Sequence, residues 1–189
     1  MKNLQGFLAI VSFLFITGCG KEYSFERRPP PPIDTTTAPP ATPPYNFPLC
    51  SVCATLTTTE LSTWSFKMDD IPVCGKADTA IVISDRTAFT FFGPSSCSGD
   101  TGMVITVYLH DTLNRNIAYT SADKVAFYYY DRVTPSYIMM SQTYAPFSGA
   151  VRDYDPQTKI ATGSFEGFAL RSDGRWASIT LGKFKMKLL

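Results

Sequence analysis

The chain has 189 residues, 17 Lys/Arg against 16 Asp/Glu, a formal net charge of +1, and 14% aromatic side chains. Residues 49–189 hold thirteen basic and thirteen acidic groups. That balance excludes a nucleic-acid partner, which would call for a clustered positive excess, and the length allows one hydrophobic core.

Residues 1–18 have the three parts of an export signal. Lys2 supplies the positive start, residues 4–16 an apolar run too short to span a bilayer as a helix, and Thr17-Gly18 the small residues before a scissile bond. Ile16-Thr17-Gly18-Cys19 resembles the bacterial lipobox. The resemblance implies cleavage before Cys19 and acylation of its sulfur and amine. Each buried methylene would add about 0.8 kcal/mol of membrane affinity, and more than one chain makes the anchor stable. The membrane is then a partner through the N-terminal lipid. Lys21 and Glu22 partly resemble the outer-surface export signal of Bacteroidota-type lipoproteins. The expected location is the outer membrane, on its periplasmic or cell-surface face.

Residues 19–48 read as a lipidated cysteine followed by a stalk. Nine of the fourteen prolines lie between Arg28 and Pro48, interleaved with Thr35, Thr36, Thr37 and Thr42. Proline fixes φ and lacks an amide donor, so this composition predicts an extended spacer without a core.

Residues 49–189 read as an all-β domain, an antiparallel β-sandwich or partly closed barrel. A weak helix is predicted at residues 57–61. Strands rich in Val, Ile, Thr, Tyr and Phe are predicted at 63–68, 79–84, 88–92, 103–110, 124–130, 137–142, 149–153, 159–170 and 176–188. Turn residues separate them, Asp173-Gly174 being the strongest hairpin signal. In the last strand Ala177, Ile179 and Leu181 have one parity, and Phe184, Met186 and Leu188 the other. Both sets face one core only if a residue is inserted between them, and Gly182 is the expected bulge. Lys183, Lys185 and Lys187 would then line the outside, as a solvated face or a guard against edge pairing. The segment from Ala161 to Phe168 and that from Ile179 to Phe184 resemble the closing hairpin of small Bacteroidota lipoproteins of unknown function. That likeness implies an all-β module and brings no catalytic residues with it.

With Cys19 assigned to lipid, Cys50, Cys53, Cys74 and Cys97 are expected to form two disulfides, with three connectivities open. A redox Cys50-Ser51-Val52-Cys53 pair lacks a βαβ setting, and a four-thiolate zinc site lacks a second C-x-x-C. No cofactor or metal is expected.

Candidates for chemistry are thin. Asp100-Thr101-Gly102 matches the aspartic-protease triplet, but it occurs once and its flanks depart from that family. His110, the only histidine, stands beside Asp111, an arrangement that can orient a general base. Asp153 and Asp155 flank Tyr154 as a minimal calcium motif. The run Phe127-Tyr128-Tyr129-Tyr130 is more telling. Strand alternation sends Phe127 and Tyr129 to one face and Tyr128 and Tyr130 to the other. If the first face is the core, Tyr128 and Tyr130 display phenols suited to a sugar ring or a protein partner, with Trp64 and Trp176 as further platform residues. The expected function is therefore a non-catalytic binding module for a glycan or protein ligand. The alternatives are a hydrolase built on the aspartic triplet or His110, and a purely structural envelope protein.

Overall fold

The computed structural model describes residues 50–54, 60–133 and 136–189, with the backbone alone at Ser136. The expected signal, Cys19 and the expected stalk lie outside the described residues. One helical turn, α1 (Ser51–Ala54), precedes ten strands: β1 (Thr63–Met68), β2 (Ile71–Lys76), β3 (Thr79–Val82), β4 (Ala88–Pro94), β5 (Thr101–Leu109), β6 (Thr120–Asp131), β7 (Ser136–Ser141), β8 (Phe147–Asp155), β9 (Ile160–Arg171) and β10 (Trp176–Lys187). Among the described residues, no helix is long and apolar enough to cross a membrane.

The strands are all antiparallel and belong to one sheet, in the order β2-β1-β10-β9-β7-β6-β5-β4-β3. β8 lies off that path and pairs with β6 and β9. β7 and β8 therefore occupy one lane between β6 and β9, end to end. Most neighbours are consecutive strands, because antiparallel neighbours need only short connections; β1 with β10, and β7 and β8 with their shared flanks β6 and β9, give the pairings that are not simple hairpins.

The sheet curls until its halves face each other. Phe66 on β1 meets Phe127 on β6 at 5.5 Å, and Phe89 on β4 meets Phe184 on β10 at 5.8 Å, both between strands that are not neighbours in the sheet. Edge strand β2 meets the chain just past β4 at the bridge Gly75↔Ser95. There the Cys74 carbonyl accepts from the Ser96 amide at 2.9 Å and the Ser95 hydroxyl at 3.2 Å. Aromatic and aliphatic side chains from nearly every strand fill the space between the halves in a single cluster. The result is the antiparallel all-β architecture expected from alternation, sandwich-like in its core.

Three local expectations need correction. The strand Ile71–Lys76 has no counterpart among the expected strands, and it holds Pro72 and Gly75, which a strand interior disfavours. β2 sits at the end of the sheet, where proline is tolerated. Gly75 is needed because a Cβ there would strike the Trp64 ring and the Pro94 carbonyl. The bulge in β10 exists, since the register with β9 shifts between Ile179 and Gly182. The residue that turns left-handed, however, is Leu181, at φ 53°. Gly182 serves close packing instead: a Cβ on it would run into Phe165. Finally, the helical turn lies at the cysteines, whereas Glu60 and Leu61 of the expected helix are bend and turn and residues 57–59 lie outside the described residues.

Candidate functional site

β6 sorts its side chains by strict alternation. Phe127 and Tyr129 are each 2% exposed and belong to the core. Tyr129 donates or accepts a 3.1 Å bond with the Thr101 hydroxyl, and burial pushes its phenol pKa above the ordinary value. Tyr128 points the other way and is 38% exposed.

Register then builds a row around Tyr128. It pairs with Val104 on β5 and Met140 on β7. Val104 pairs with Phe92 on β4, and Met140 with Leu170 on β9. Leu170 pairs with Trp176 on β10, which is 44% exposed. Each of these residues is flanked in its strand by a core residue (Phe91, Met103, Phe127, Met139, Ala169, Ala177), so all six lie on the outer face. An apolar and aromatic row thus crosses six lanes of the sheet on its outside. Tyr137 stands 6.3 Å from Tyr128, and Tyr144, the most exposed aromatic among the described residues, meets Trp176 edge-on at 6.0 Å.

Two of the expected platform residues fall elsewhere. Trp64 is 1% exposed and is a core residue. It shares its parity on β1 with Phe66 and Met68, all buried, and its indole N–H is spent on the Lys76 carbonyl at 3.3 Å. Tyr130 is only half-buried and lies across Gly102, whose missing side chain makes room for the ring. The Arg132 guanidinium stands 5.8 Å from that ring. Tyr128 and Trp176 are the two residues of the four that the fold aligns on one open row.

A second feature escaped the sequence reading. A groove of about 460 Å³ runs over the outer faces of β8, β9 and β10. Its walls include Tyr119, Arg152, Ser164, Glu166 and Lys183. Arg152 lies over the Tyr119 ring at 5.1 Å and donates from Nε to the Ser164 hydroxyl at 3.2 Å. The outward side of β9 links the two features, with Ser164 and Glu166 in the groove, exposed Phe168 next, and Leu170 in the row. Tyr119 and Arg152 come from segments 33 positions apart, so no local pattern marks them as neighbours.

The four cysteines form the bridges Cys50–Cys97 and Cys53–Cys74. Cys50, Cys53 and Cys97 have the one metal-like spacing among the described residues. As disulfides they offer no thiolate, which is the ligand form.

The remaining candidates are not assembled into a site. In the Asp100-Thr101-Gly102 triplet, the Thr101 hydroxyl bonds Tyr129 and Ser98, and the Asp100 carbonyl accepts from the Arg132 amide at 2.7 Å while its residue is exposed. His110 is exposed to water and lies 3.9 Å from Asp123; its sequence neighbour Asp111 pairs with Arg115 instead. Asp155 accepts from the Gln157 amide and the Thr158 hydroxyl, bonds that hold its carboxyl below the ordinary value and tie it into the β8–β9 turn. Asp153 is exposed beside it.

Compared with known protein families, curated proteins and solved structures, the chain matches none.

Proposed function

We propose that this chain is an exported envelope lipoprotein, anchored in the outer membrane through acylated Cys19, whose β-domain binds a glycan or protein ligand without catalysis. The observation that carries the binding role is the outer row with Tyr128 and Trp176 exposed. Exposed aromatics on one outer row give an apolar surface, and ring faces suit the C–H faces of a sugar or the apolar side chains of a partner. The Arg152–Tyr119 groove adds hydrogen-bonding groups along the same strand, as ligand sites combine apolar surface with a few polar groups. The anchor rests on the residues around Cys19, and the stalk on the prolines that follow.

Glycan-array binding of the full chain in detergent tests the ligand class, with parallel capture by immobilised envelope proteins. A double variant, Tyr128→Ala with Trp176→Ala, is expected to lose binding while remaining folded. Binding that is unchanged in this variant sinks the role of the row. The anchor has its own test: the mature N-terminus is expected to be an acylated Cys19 by mass spectrometry, and an unmodified start or a retained leader refutes it.

A further inference from the structure

The two disulfides are not independent crosslinks. The Cys53 sulfur, bonded to Cys74, lies only 3.1 Å from the Cys97 sulfur, bonded to Cys50. That is below the roughly 3.5–4.0 Å of nonbonded carbon contacts, although sulfur is larger. One turn of α1 sets this up, since the Cys53 amide donates to the Cys50 carbonyl at 3.1 Å and keeps both cysteines at the same end of the domain. The β4–β5 connection brings in Cys97 and is tied there to Cys74 on β2. Cys97 is held there by its amide on the Ser95 hydroxyl, and that same hydroxyl donates to the Cys74 carbonyl.

Access to the two bridges is unequal. Cys50 and Cys97 are half-buried, whereas Cys53 is 6% exposed and Cys74 fully buried. A reductant in solution reaches the first bridge and not the second.

We propose that the four cysteines form one thiol–disulfide exchange site, entered at Cys50–Cys97 by a dithiol partner. A thiolate of the dithiol attacks the Cys50 sulfur. The Cys50–Cys97 bond breaks, a mixed disulfide forms at Cys50, and Cys97 leaves as a thiolate. That thiolate attacks the Cys53 sulfur beside it. A Cys53–Cys97 bond forms, the Cys53–Cys74 bond breaks, and Cys74 leaves as a thiolate that takes up a proton. The second thiol of the dithiol resolves the mixed disulfide and frees Cys50. Two electrons pass from the dithiol, which becomes a disulfide, to a chain that has exchanged two bridges for one. Exchange of this kind needs an attacking thiolate with access to a disulfide sulfur, and the 3.1 Å contact supplies that access inside the fold. The product differs from simple reduction in one respect. Cys97 stays crosslinked to the domain's first turn, while Cys50, the residue at which the preceding chain joins the domain, is released.

The test uses the full chain carrying Cys19→Ser, so that four cysteines take part. It is treated with one equivalent of dithiothreitol, quenched in acid, alkylated and mapped by mass spectrometry without further reduction. Trypsin separates Cys74 from Cys97, and fragmentation distinguishes Cys50 from Cys53. The expected result is alkylation at Cys50 and Cys74 with a surviving Cys53–Cys97 crosslink. Alkylation at Cys50 and Cys97 with Cys53–Cys74 intact overturns the proposal. So does simultaneous alkylation of all four, or no reaction at all.

Discussion

Trp64 and Trp176 belong to strands that pair side by side, β1 and β10, yet one is the largest fully buried side chain and the other is nearly half exposed. The difference lies in pleat parity. Trp64 alternates with outward Ser65 and stacks on Phe66 at 5.9 Å. Trp176 precedes the inward Ala177 and joins the outer row. The same indole therefore stabilises the fold in one place and remains available to a partner in the other.

The sharpest way to break that comparison is to truncate both tryptophans. Trp64→Ala is expected to cost about 3–5 kcal/mol, since it leaves a cavity among Phe66, Tyr129 and their neighbours. Trp176→Ala should stay within about 1 kcal/mol, the range of surface changes. Urea unfolding midpoints of the two variants, measured together, check the contrast. Equal losses would mean that the outer row is covered by protein.

Next come the crosslinks. Removing Cys53–Cys74 by Cys→Ala replacement of both residues should cost about 2–4 kcal/mol, by freeing a 21-position loop in the unfolded chain. Thermal melts with and without reductant would show it, and an unchanged midpoint would argue that the bridge does not form.

The β10 bulge gives a smaller pair of effects with opposite signs. Leu181 holds φ at 53°, a region that costs a residue with a Cβ roughly 1 kcal/mol, so Leu181→Gly should be neutral to stabilising. Gly182→Ala should destabilise by about 1–3 kcal/mol through overpacking against Phe165. Denaturant titration of both variants separates the two roles, and the reverse order of stabilities would restore Gly182 as the strained residue.

The smallest effect is electrostatic. Arg175 beside Asp173 holds that carboxyl below its ordinary value, first by a side-chain hydrogen bond at 2.7 Å. A depressed carboxylate contributes stability that is present above the unfolded pKa, roughly 4, and is lost as pH falls through the lower folded value. Asp173→Asn should therefore flatten the acid limb of the stability curve, by less than about 1 kcal/mol. Melts at pH 2 to 6 check this, and an acid limb identical to that of the parent chain would count against it.

Much of the fold was legible in the residues. β1 falls on the predicted residues 63–68, and the Asp173-Gly174 turn joins β9 to β10 as its chemistry requires. Alternation is local physics: a pleat sends neighbours to opposite faces whatever surrounds it, so Phe127 and Tyr129 could be assigned together. What it could not say is how much of each face is covered. That is why Trp64 was placed among the platform residues and proved to be core, and why Tyr130 proved partly covered over Gly102. β2 was illegible for a related reason, because Pro72 and Gly75 are tolerated only through its place in the sheet and the ring of Trp64.

The sequence alone determined an antiparallel all-β domain, the division of β6 into two faces, an inserted residue in β10 and the pairing of four cysteines among themselves. These follow from side-chain period, turn chemistry and counting, all of which act over a few residues. Tertiary structure alone decided which cysteine bonds which, that two bridges lie in contact, and that Tyr128 and Trp176 share one outer row. Those outcomes depend on strand order and register, which are set when a whole sheet closes on a common core, so no local stretch contains them.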